Sequence, residues 1–242
     1  MISVCITTYN GEKYIYEQLS SVLSQLSTTD EIIVSDDGST DNTLNIVSSL
    51  NDKRIKIFHH QKNKKYNHKL IRNMNYASQN FEFALKQCKG KYIFLADQDD
   101  IWMEKKVLTC LKQLKTHDLV FHNYSDINEQ GELTKHYHYG AIPIKSTLVS
   151  NYLRLPFTGC CMAFKSNILK YLLPFPPLTV THDQWIGLSA FKKSKVAYIN
   201  EPLIKRRFHS ANSSLYNKKE TLLSKLQYTY WIYFTNLSVF FK

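Results

Sequence analysis

The first 125 residues alternate short apolar runs with helical patterns, and this alternation restricts the fold more than any other feature of the sequence. Five runs have the length and composition of buried strands: 2–7, 31–35, 55–58, 91–96 and 118–122. Apolar residues between these runs recur at the spacing of one helix face, which predicts helices over 15–26, 43–50, 74–88 and 103–114. Strands and helices in this order predict a parallel sheet covered on both faces by right-handed crossovers.

Polar residues follow three of the predicted strands at the point where each strand ends. They are Thr-Thr-Tyr-Asn-Gly at 7–11, Asp-Asp-Gly-Ser-Thr-Asp at 36–41 and Asp-Gln-Asp-Asp at 97–100. In a sheet of this kind, ligands bind beyond the carboxyl ends of the strands. We therefore expect the functional site at this edge.

Two adjacent acids, Asp36 and Asp37, precede a glycine after the second strand. A carboxylate at a strand tip can accept a hydrogen bond from a pyrimidine N–H or a ribose hydroxyl. The alternative is a well-formed turn and helix cap, which we favour for Ser39, Thr40 and Asp41.

Three acids, Asp97, Asp99 and Asp100, cluster where the fourth apolar run ends. Like charges this close repel one another unless a cation or hydrogen bonds compensate. Carboxylate oxygens are ligands for Mg²⁺ or Mn²⁺, together with phosphate oxygens of a substrate. A solvated acidic turn that caps the following helix is the alternative, and the triplet alone leaves both open.

Taken together, the motifs at 7–11, 36–41 and 97–102 resemble the inverting, nucleotide-sugar-dependent glycosyltransferases of family 2, which have the GT-A fold. Further matches are Thr-Gly-Cys at 158–160, His-Asp-Gln-Trp at 182–185 and Arg-Phe-His-Ser-Ala-Asn at 207–212, and these are most similar to bacterial rhamnosyltransferase-like members that build surface polysaccharides. The resemblance covers residues 2 to about 214. It implies an α/β GT-A three-layer sandwich with a mainly parallel central sheet, in which 1–125 bind the nucleotide, 126–214 bind the acceptor and 215–242 form a helical tail.

The resemblance also implies how the donor is held. The residues that match nucleoside-binding positions are Thr7, Tyr9, Asp36, Asp37 and Asp97. Tyr9 would supply a ring for the base, Asp37 a carboxylate for it, and Asp97 a contact to the ribose or to a metal-bound water.

The same resemblance implies a divalent cofactor, Mn²⁺ or Mg²⁺, and a catalytic base. Asp99 matches the direct metal ligand, with Asp97 and His209 beside the metal, and Asp183 matches the base. Residues that match the diphosphate and acceptor side are Arg207, Gly159, Cys160 and Trp185. From the residues alone, an N-cap of the helix predicted from 182 to 193 is the favoured interpretation of Asp183, and an ordinary surface histidine that of His209; the other motifs reverse the order for Asp183.

Two features depart from the family pattern. Arg206 stands where many relatives carry Tyr, which adds a charge beside Arg207. The basic segment 62–76 replaces a shorter, glycine-containing loop after the third strand. This segment either faces the diphosphate or is a solvated loop, and the sequence leaves both open.

The chain has 31 Lys and Arg against 20 Asp and Glu, a net charge of +11, of which +8 lies in 53–72 and +8 in 186–242. Such patches suit the phosphates of nucleotides or lipid head groups, or are solvated surface. The five cysteines lack the spacing of a disulfide framework, and we see neither a secretory signal nor an apolar run of the roughly 20 residues that cross a bilayer. We expect a cytoplasmic protein that is either free in solution or in contact with the inner face of the cell membrane.

The segment 222–242 is rich in aromatic residues and poor in charge. A helix there either lies in a membrane interface as a peripheral contact, or packs against the sheet domain or a partner subunit of a homodimer. Both interpretations fit the sequence.

The expected activity is metal-dependent, inverting transfer of a sugar from a UDP- or dTDP-linked donor to a hydroxyl of a lipid-linked or polysaccharide acceptor. Sugar nucleotidyl transfer is an alternative, but it would need a glycine-rich basic loop where this chain has Thr-Tyr-Asn-Gly-Glu. A non-catalytic nucleic-acid-binding module is another, but the acids at the strand ends would repel phosphate. We therefore expect no nucleic-acid partner.

Overall fold

A computed structural model describes residues 1–67, 69–209 and 221–241. The strands in it are β1 (Ile2–Thr8), β2 (Glu31–Asp36), β3 (Ile55–His59), β4 (Tyr92–Ala96), β5 (Ile101–Trp102), β6 (Leu119–Ile127), β7 (Leu133–Lys135), β8 (Met162–Lys165) and β9 (Val196–Arg207). The helices are α1 (Ile15–Leu23), α2 (Thr43–Ser49), α3 (Lys69–Gln87), α4 (Lys106–Leu114), α5 (Leu148–Arg154), α6 (Leu169–Leu172), α7 (His182–Lys193) and α8 (Leu222–Asn236). Short 3₁₀ turns occupy Gly159–Cys161, Ser166–Ile168 and Leu237–Phe240.

All nine described strands belong to one sheet, in the order β3-β2-β1-β4-β8-β6-β9-β5, with β7 paired to the end of β6. β1 lies parallel to both β2 and β4, and β2 lies parallel to β3. β1 and β2 are buried along almost their whole length, as strands covered on both faces by helices must be. The α/β fold, the mainly parallel sheet and the C-terminal helix are therefore confirmed.

The far half of the sheet is where the structure departs from the sequence-based expectation. β8 runs antiparallel between β4 and β6, and β9 pairs with β6 in parallel and with β5 in antiparallel. None of β5, β8 and β9 is predicted from the apolar pattern, and β6 continues to Ile127 rather than ending at 122. α3 begins at Lys69, earlier than the predicted 74, so part of the basic segment is helical.

Helices cover the sheet and bury a main apolar core, and a small second cluster of Tyr66, Ile71, Val180 and Ile232 lies apart from it. α3 packs on β1 and β2, while α4 packs on β6, β8 and β9. α7 contacts α3, α5 and α6, and α8 contacts α3. Among the described helices, none combines the length and the apolar character needed to cross a bilayer.

Candidate active site

The loops that follow β1 and β4 are joined directly at the carboxyl edge of the sheet. The backbone N–H of Tyr9 donates to Oε1 of Gln98 (2.9 Å), and Nε2 of Gln98 donates to the carbonyl of Tyr9 (3.1 Å). A Cβ atom at position 11 would lie 2.4 Å from Oε1 of Gln98, so only glycine allows this approach. The contact leaves the ring of Tyr9 half exposed at the edge, and Thr7 lies on β1 beside Ser35 of β2.

The carboxylate of Asp36 closes the turn after β2. Its Oδ1 accepts hydrogen bonds from the hydroxyls of Thr8 (2.8 Å) and Ser39 (2.6 Å). Its Oδ2 accepts from the backbone N–H groups of Gly38 (3.0 Å) and Ser39 (2.8 Å). Gly38 has a φ of +81°, which a glycine adopts without strain. Asp36 therefore shapes the turn, and its role toward a nucleoside stays a prediction.

Asp37 points away from that turn and faces the basic segment after β3. Its Oδ1 lies 2.7 Å from Nδ1 of His60, and its Oδ2 lies 3.4 Å from Nζ of Lys62. The same ammonium group of Lys62 sits 3.6 Å from the centre of the Tyr9 ring. The two residues predicted to hold the base, Tyr9 and Asp37, are thus brought together, and Lys62 bridges them. The sequence signal for Lys62 was the basic character of its segment, which did not single out one lysine.

The acids after β4 face different partners. Oδ2 of Asp99 lies 2.9 Å from Nε2 of His209, so these two predicted metal-side residues meet. Asp100 is almost completely buried: its Oδ1 accepts from the backbone N–H of Arg207 (3.1 Å), while its Oδ2 has no hydrogen-bond partner. Asp97 is partly exposed, and one oxygen of each of Asp97 and Asp100 lies within 4.8 Å of Sγ of Cys160. The sequence places Asp100 in the same acidic cluster but does not indicate a functional role for it.

Arg207 holds the acidic loop 97–100 in place through contacts with its backbone and with neighbouring residues. Its Nε donates to the carbonyl of Asp99 (3.1 Å), and Nη2 pairs with Oε2 of Glu17 at 2.6 Å. The guanidinium also lies 4.7 Å from the centre of the Tyr14 ring and donates to the carbonyl of Glu129. Because Arg207 is 3% exposed and has these partners, the contacts that we observe place it as a support of the loop. The predicted contact to the diphosphate stays a prediction.

Arg206 lies on the opposite face of β9, because side chains alternate along a strand. Its guanidinium lies 5.5 Å from the centre of the Tyr124 ring and donates to the hydroxyl of Tyr124 (3.4 Å). Its charge acts on the carboxylates of Asp97, Asp100 and Asp183. Arg206 is thus a cation of the site, a role that the sequence analysis did not assign.

Burial and mutual repulsion shift the acids toward the protonated form. Burial raises the pKa of Asp97 to about 6, and the charge of Asp99 adds to that shift. Burial, together with the charges of Asp99 and Asp97, raises the pKa of Asp100 to about 8. Burial alone would lower the pKa of Arg206, but neighbouring groups that can carry negative charge, among them Asp100 and Asp97, hold it well above its usual value. The acidic cluster of Asp97, Asp99 and Asp100 therefore stabilises a cation that lies beside it.

Asp183 lies in the first turn of α7, as its second residue. The N-cap is Thr181, so the capping interpretation of Asp183 is wrong. Oδ1 of Asp183 accepts from the backbone N–H of Gln184 (2.8 Å), and Nδ2 of Asn236 on α8 donates to Oγ1 of Thr181 (2.8 Å). Burial raises the pKa of Asp183 to about 6, the backbone N–H of Gln184 lowers it, and the charge of Asp97 raises it. The carboxylate is therefore available as a base near neutral pH.

Gly159 and His182 pack directly against each other beside Asp183. A Cβ atom at position 159 would lie 3.0 Å from Nε2 of His182, so a side chain there would press on the start of α7. The ring of His182 stacks on Phe81 with centroids 4.0 Å apart. Burial lowers the pKa of His182 to about 3, so this imidazole is neutral.

Cys160 and Trp185 are both buried in the core. The carbonyl of Cys160 accepts a hydrogen bond from Nζ of Lys106 (2.7 Å), a fully buried lysine whose ammonium lies 4.1 Å from the Trp102 ring. The indole N–H of Trp185 donates to the carbonyl of Leu172 (2.9 Å), and its side chain is 1% exposed. Trp185 therefore fixes α7 from inside, and its predicted effect on the acceptor side can act only through the position of that helix.

Two groups of side chains could hold a divalent cation in the described part of the chain. Asp99 and His209 offer one carboxylate oxygen and one imidazole nitrogen 2.9 Å apart, a donor set that fits Mn²⁺ and less closely Mg²⁺. Asp97, Asp100 and Cys160 form the other group, but the guanidinium of Arg206 already supplies positive charge there. Of the 207–212 motif, residues 210–212 lie outside the described residues.

Comparison with known proteins gives a consistent result. A family model described as "Glycosyl transferase family 2" matches residues 3–173. The chain is 28% identical over 222 residues to WfgD of Escherichia coli, described as a UDP-Glc:alpha-D-GlcNAc-diphosphoundecaprenol beta-1,3-glucosyltransferase, with 90% of this chain and 81% of that protein covered. It is 31% identical to an uncharacterized glycosyltransferase of Haemophilus influenzae, with 93% and 71% covered. WfaP of Escherichia coli, with the same description as WfgD, is 35% identical over 129 residues, covering 52% of this chain and 45% of that protein.

Solved structures share the fold. TarS of S. aureus, in complex with UDP-GlcNAc, superposes with a TM-score of 0.65 at 22% identity, and the match covers 89% of this chain but only 61% of the TarS chain. Glucosyl-3-phosphoglycerate synthase of Mycobacterium tuberculosis, in complex with Mn²⁺, UDP and phosphoglyceric acid, gives a TM-score of 0.58 at 17% identity, covering 99% and 77%.

Proposed function

Because the chain belongs to glycosyl transferase family 2 and is a glycosyltransferase, we propose that it transfers a sugar from a nucleoside-diphosphate sugar to a lipid-linked or polysaccharide acceptor of the bacterial cell surface. The reaction is metal-dependent and inverts the anomeric centre. One observation carries the proposal: a single edge of the sheet gathers the Tyr9 and Asp37 pair, the Asp99 and His209 pair, and Asp183, whose pKa is raised.

The donor in this proposal is linked to UDP or dTDP. Uracil and thymine both carry an N3–H group, and the carboxylate of Asp37 can accept a hydrogen bond from it. The half-exposed ring of Tyr9 offers a flat surface for the pyrimidine. The descriptions of WfgD and WfaP name UDP-Glc, which favours UDP over dTDP. A rhamnosyl donor stays a prediction from the sequence resemblance.

Asp99 and His209 would hold Mn²⁺ or Mg²⁺, with Asp97 beside them. When bound, the cation stabilises the negative charge that develops on the leaving nucleoside diphosphate. Arg207 holds the backbone of Asp99 in place through its hydrogen bond to the carbonyl.

Asp183 is the base in this proposal. Its carboxylate takes the proton from the acceptor hydroxyl as the oxygen forms a bond to the anomeric carbon. The bond from that carbon to the diphosphate oxygen breaks on the opposite face, and the nucleoside diphosphate leaves. A pKa of about 6 keeps most of the carboxylate ionised at pH 7 and makes it a stronger base than an ordinary aspartate.

The acceptor in the proposal is a lipid-linked sugar at the cytoplasmic face of the cell membrane. WfgD and WfaP are described as acting on a sugar carried by diphosphoundecaprenol. Gly159 and α7, which carries Asp183, form the wall where a sugar hydroxyl would approach. The small size of Gly159 allows His182 and Asp183, at the start of α7, to approach it closely.

In the test, the purified chain and Mn²⁺ are mixed with one donor at a time. The donors are UDP-glucose, UDP-N-acetylglucosamine, dTDP-rhamnose and GDP-mannose. The acceptor is a short-chain lipid analogue of N-acetylglucosaminyl diphosphate. We expect release of UDP from one UDP-sugar, and a product whose anomeric configuration, read by NMR, is inverted relative to the donor. Release of sugar 1-phosphate in place of the nucleoside diphosphate, a retained anomer or transfer at full rate in chelator would overturn the proposal.

A further inference from the structure

Six large apolar side chains line the outer face of α8 and the turn after it. They are Leu223, Leu226, Tyr230, Phe234, Leu237 and Phe241, and each is between 40% and 84% exposed. Their spacing of three or four residues places them on one side of a helix, so they form a continuous apolar strip that we call the outer stripe. A strip of this length on a protein surface marks an interaction site.

The inner face of the same helix packs against the protein, mainly over its second half. Ile232 and Val239 are buried, and the Trp231 ring meets Tyr66 with centroids 4.9 Å apart. The hydroxyl of Tyr152 on α5 donates to the carbonyl of Tyr233 (2.9 Å). Packing on the sheet domain, one of the two interpretations of the tail, therefore accounts for the inner face and leaves the outer stripe without an explanation.

Described segments beside the outer stripe contribute basic residues to its surroundings. Lys225 is an exposed residue of α8, and Arg154 ends α5 next to the exposed Leu153, whose carbonyl accepts from the hydroxyl of Tyr233. Lys64 and Lys65 flank the loop that packs under α8 through Tyr66. The segments 60–67, 148–154 and 221–241 contain no Asp or Glu.

We propose that the outer stripe docks on an anionic lipid bilayer. Aromatic and aliphatic side chains that lie along a helix, with basic residues beside them, match the chemistry of acyl chains below anionic head groups. A second copy of the chain fits less well, because a two-fold interface brings each basic flank close to basic residues of the partner. This inference rests on the proposed function in one respect: the acceptor is anchored in a membrane.

The position of α8 relative to the site supports the same occupant. Asn236 contacts Thr181, which caps the helix that carries Asp183. The outer stripe lies on the other side of α8, and an α-helix with its side chains is about 10–12 Å across. A bilayer on the stripe would thus lie within about one helix diameter of the start of α7, which is where a sugar on a lipid diphosphate would be presented.

The experiment measures co-sedimentation of the full chain with vesicles of phosphatidylglycerol and phosphatidylcholine, and with vesicles of phosphatidylcholine alone. The triple variant Leu226→Ser, Tyr230→Ser, Phe234→Ser should lose at least about tenfold in partition to the anionic vesicles. Lys225→Glu should lose at least about fivefold, and high salt should release part of the protein. The matched control replaces apolar residues that are equally exposed elsewhere, Leu108→Ser with Leu133→Ser, and should bind as the parent does.

Donor turnover with a water-soluble acceptor, measured without vesicles, shows that each variant is folded and separates this inference from the proposed function. In the parent chain, turnover without vesicle binding overturns the docking inference alone, and vesicle binding without turnover overturns the proposed function alone. Equal partition into neutral vesicles would refute the anionic preference. A dimer that light scattering detects in the parent and not in the triple variant, together with no vesicle binding, would assign the stripe to a second copy.

Discussion

Replacement of Asp183 by Asn tests the base most directly. The amide keeps the size of the side chain and can still accept from the backbone N–H of Gln184 through its oxygen, but it cannot take a proton from the acceptor hydroxyl. Loss of a positioned general base lowers turnover by about 10²–10⁴-fold, which corresponds to about 3–5 kcal/mol in the activation free energy. Donor affinity should be nearly unchanged, because Asp183 acts on the acceptor.

The pH dependence of the parent follows from the raised pKa of Asp183. With a pKa of about 6, about nine in ten molecules carry the ionised carboxylate at pH 7 and about one in ten at pH 5. The ionised form is the base, so turnover rises with pH through this range and levels off above it. An aspartate with an ordinary pKa would remain active to about pH 4.

The assay measures nucleoside diphosphate release at saturating donor and acceptor from pH 4.5 to 8. Donor affinity is measured separately by calorimetry over the same range, so that titration of Asp97 is not mistaken for titration of the base. Asp118→Asn is the matched control, because Asp118 is a hydrogen-bonded carboxylate at the opposite edge of the sheet. Normal turnover per folded molecule in Asp183→Asn, or an unchanged acidic limb in its residual activity, would refute the assignment.

Three further predictions test the surroundings of the base. Asp99→Ala should abolish Mn²⁺-dependent turnover and weaken UDP binding in Mn²⁺ by at least about tenfold, measured by calorimetry; parental turnover in this variant would exclude the metal assignment. Arg206→Gln removes a charge that lowers the pKa of Asp183, so the acidic limb of the turnover profile should move to higher pH; an unmoved limb would mean that the two groups do not interact. Gly187→Ala places a Cβ atom 2.1 Å from Cγ of Phe157, so the free energy of unfolding, measured by urea denaturation, should fall by about 1–3 kcal/mol. The control is Gly140→Ala, where a Cβ atom would meet no other atom within 4 Å and the free energy of unfolding should not fall.

The first half of the sheet could be predicted because its strands are buried on both faces. β1, β2 and β4 are continuous apolar runs that end in polar loops, and the helices between them are amphipathic. β9 could not be predicted in the same way: it contains Glu201, Pro202, Lys205, Arg206 and Arg207, and its pairing with β6 and β5 comes from tertiary contacts. β8 is only four residues long, too short for a periodic pattern to register.

The site also contains residues that could be predicted from the sequence and residues that could not. The acids and the Tyr9 ring could be located because they follow predictable strands, and Asp183 because its motif resembles a family pattern. The role of Arg206 depends on which face of β9 it occupies. Because the sequence does not predict β9, it does not predict on which face of the sheet Arg206 lies. The contact of Lys62 with Tyr9 depends on the path of a loop, which local sequence does not determine.

The order of strands in the sheet also affects how the chain folds during synthesis. β6 leaves the ribosome before β8, yet β8 lies between β4 and β6. Until β8 has been made, one side of β4 presents unpaired backbone N–H and C=O groups, the kind of edge on which nascent chains aggregate. β9 is made later still, and its Arg207 supports the loop of Asp99 and Asp100. The acidic loop is therefore among the last parts of the molecule to reach its final form, long after its own residues have been translated.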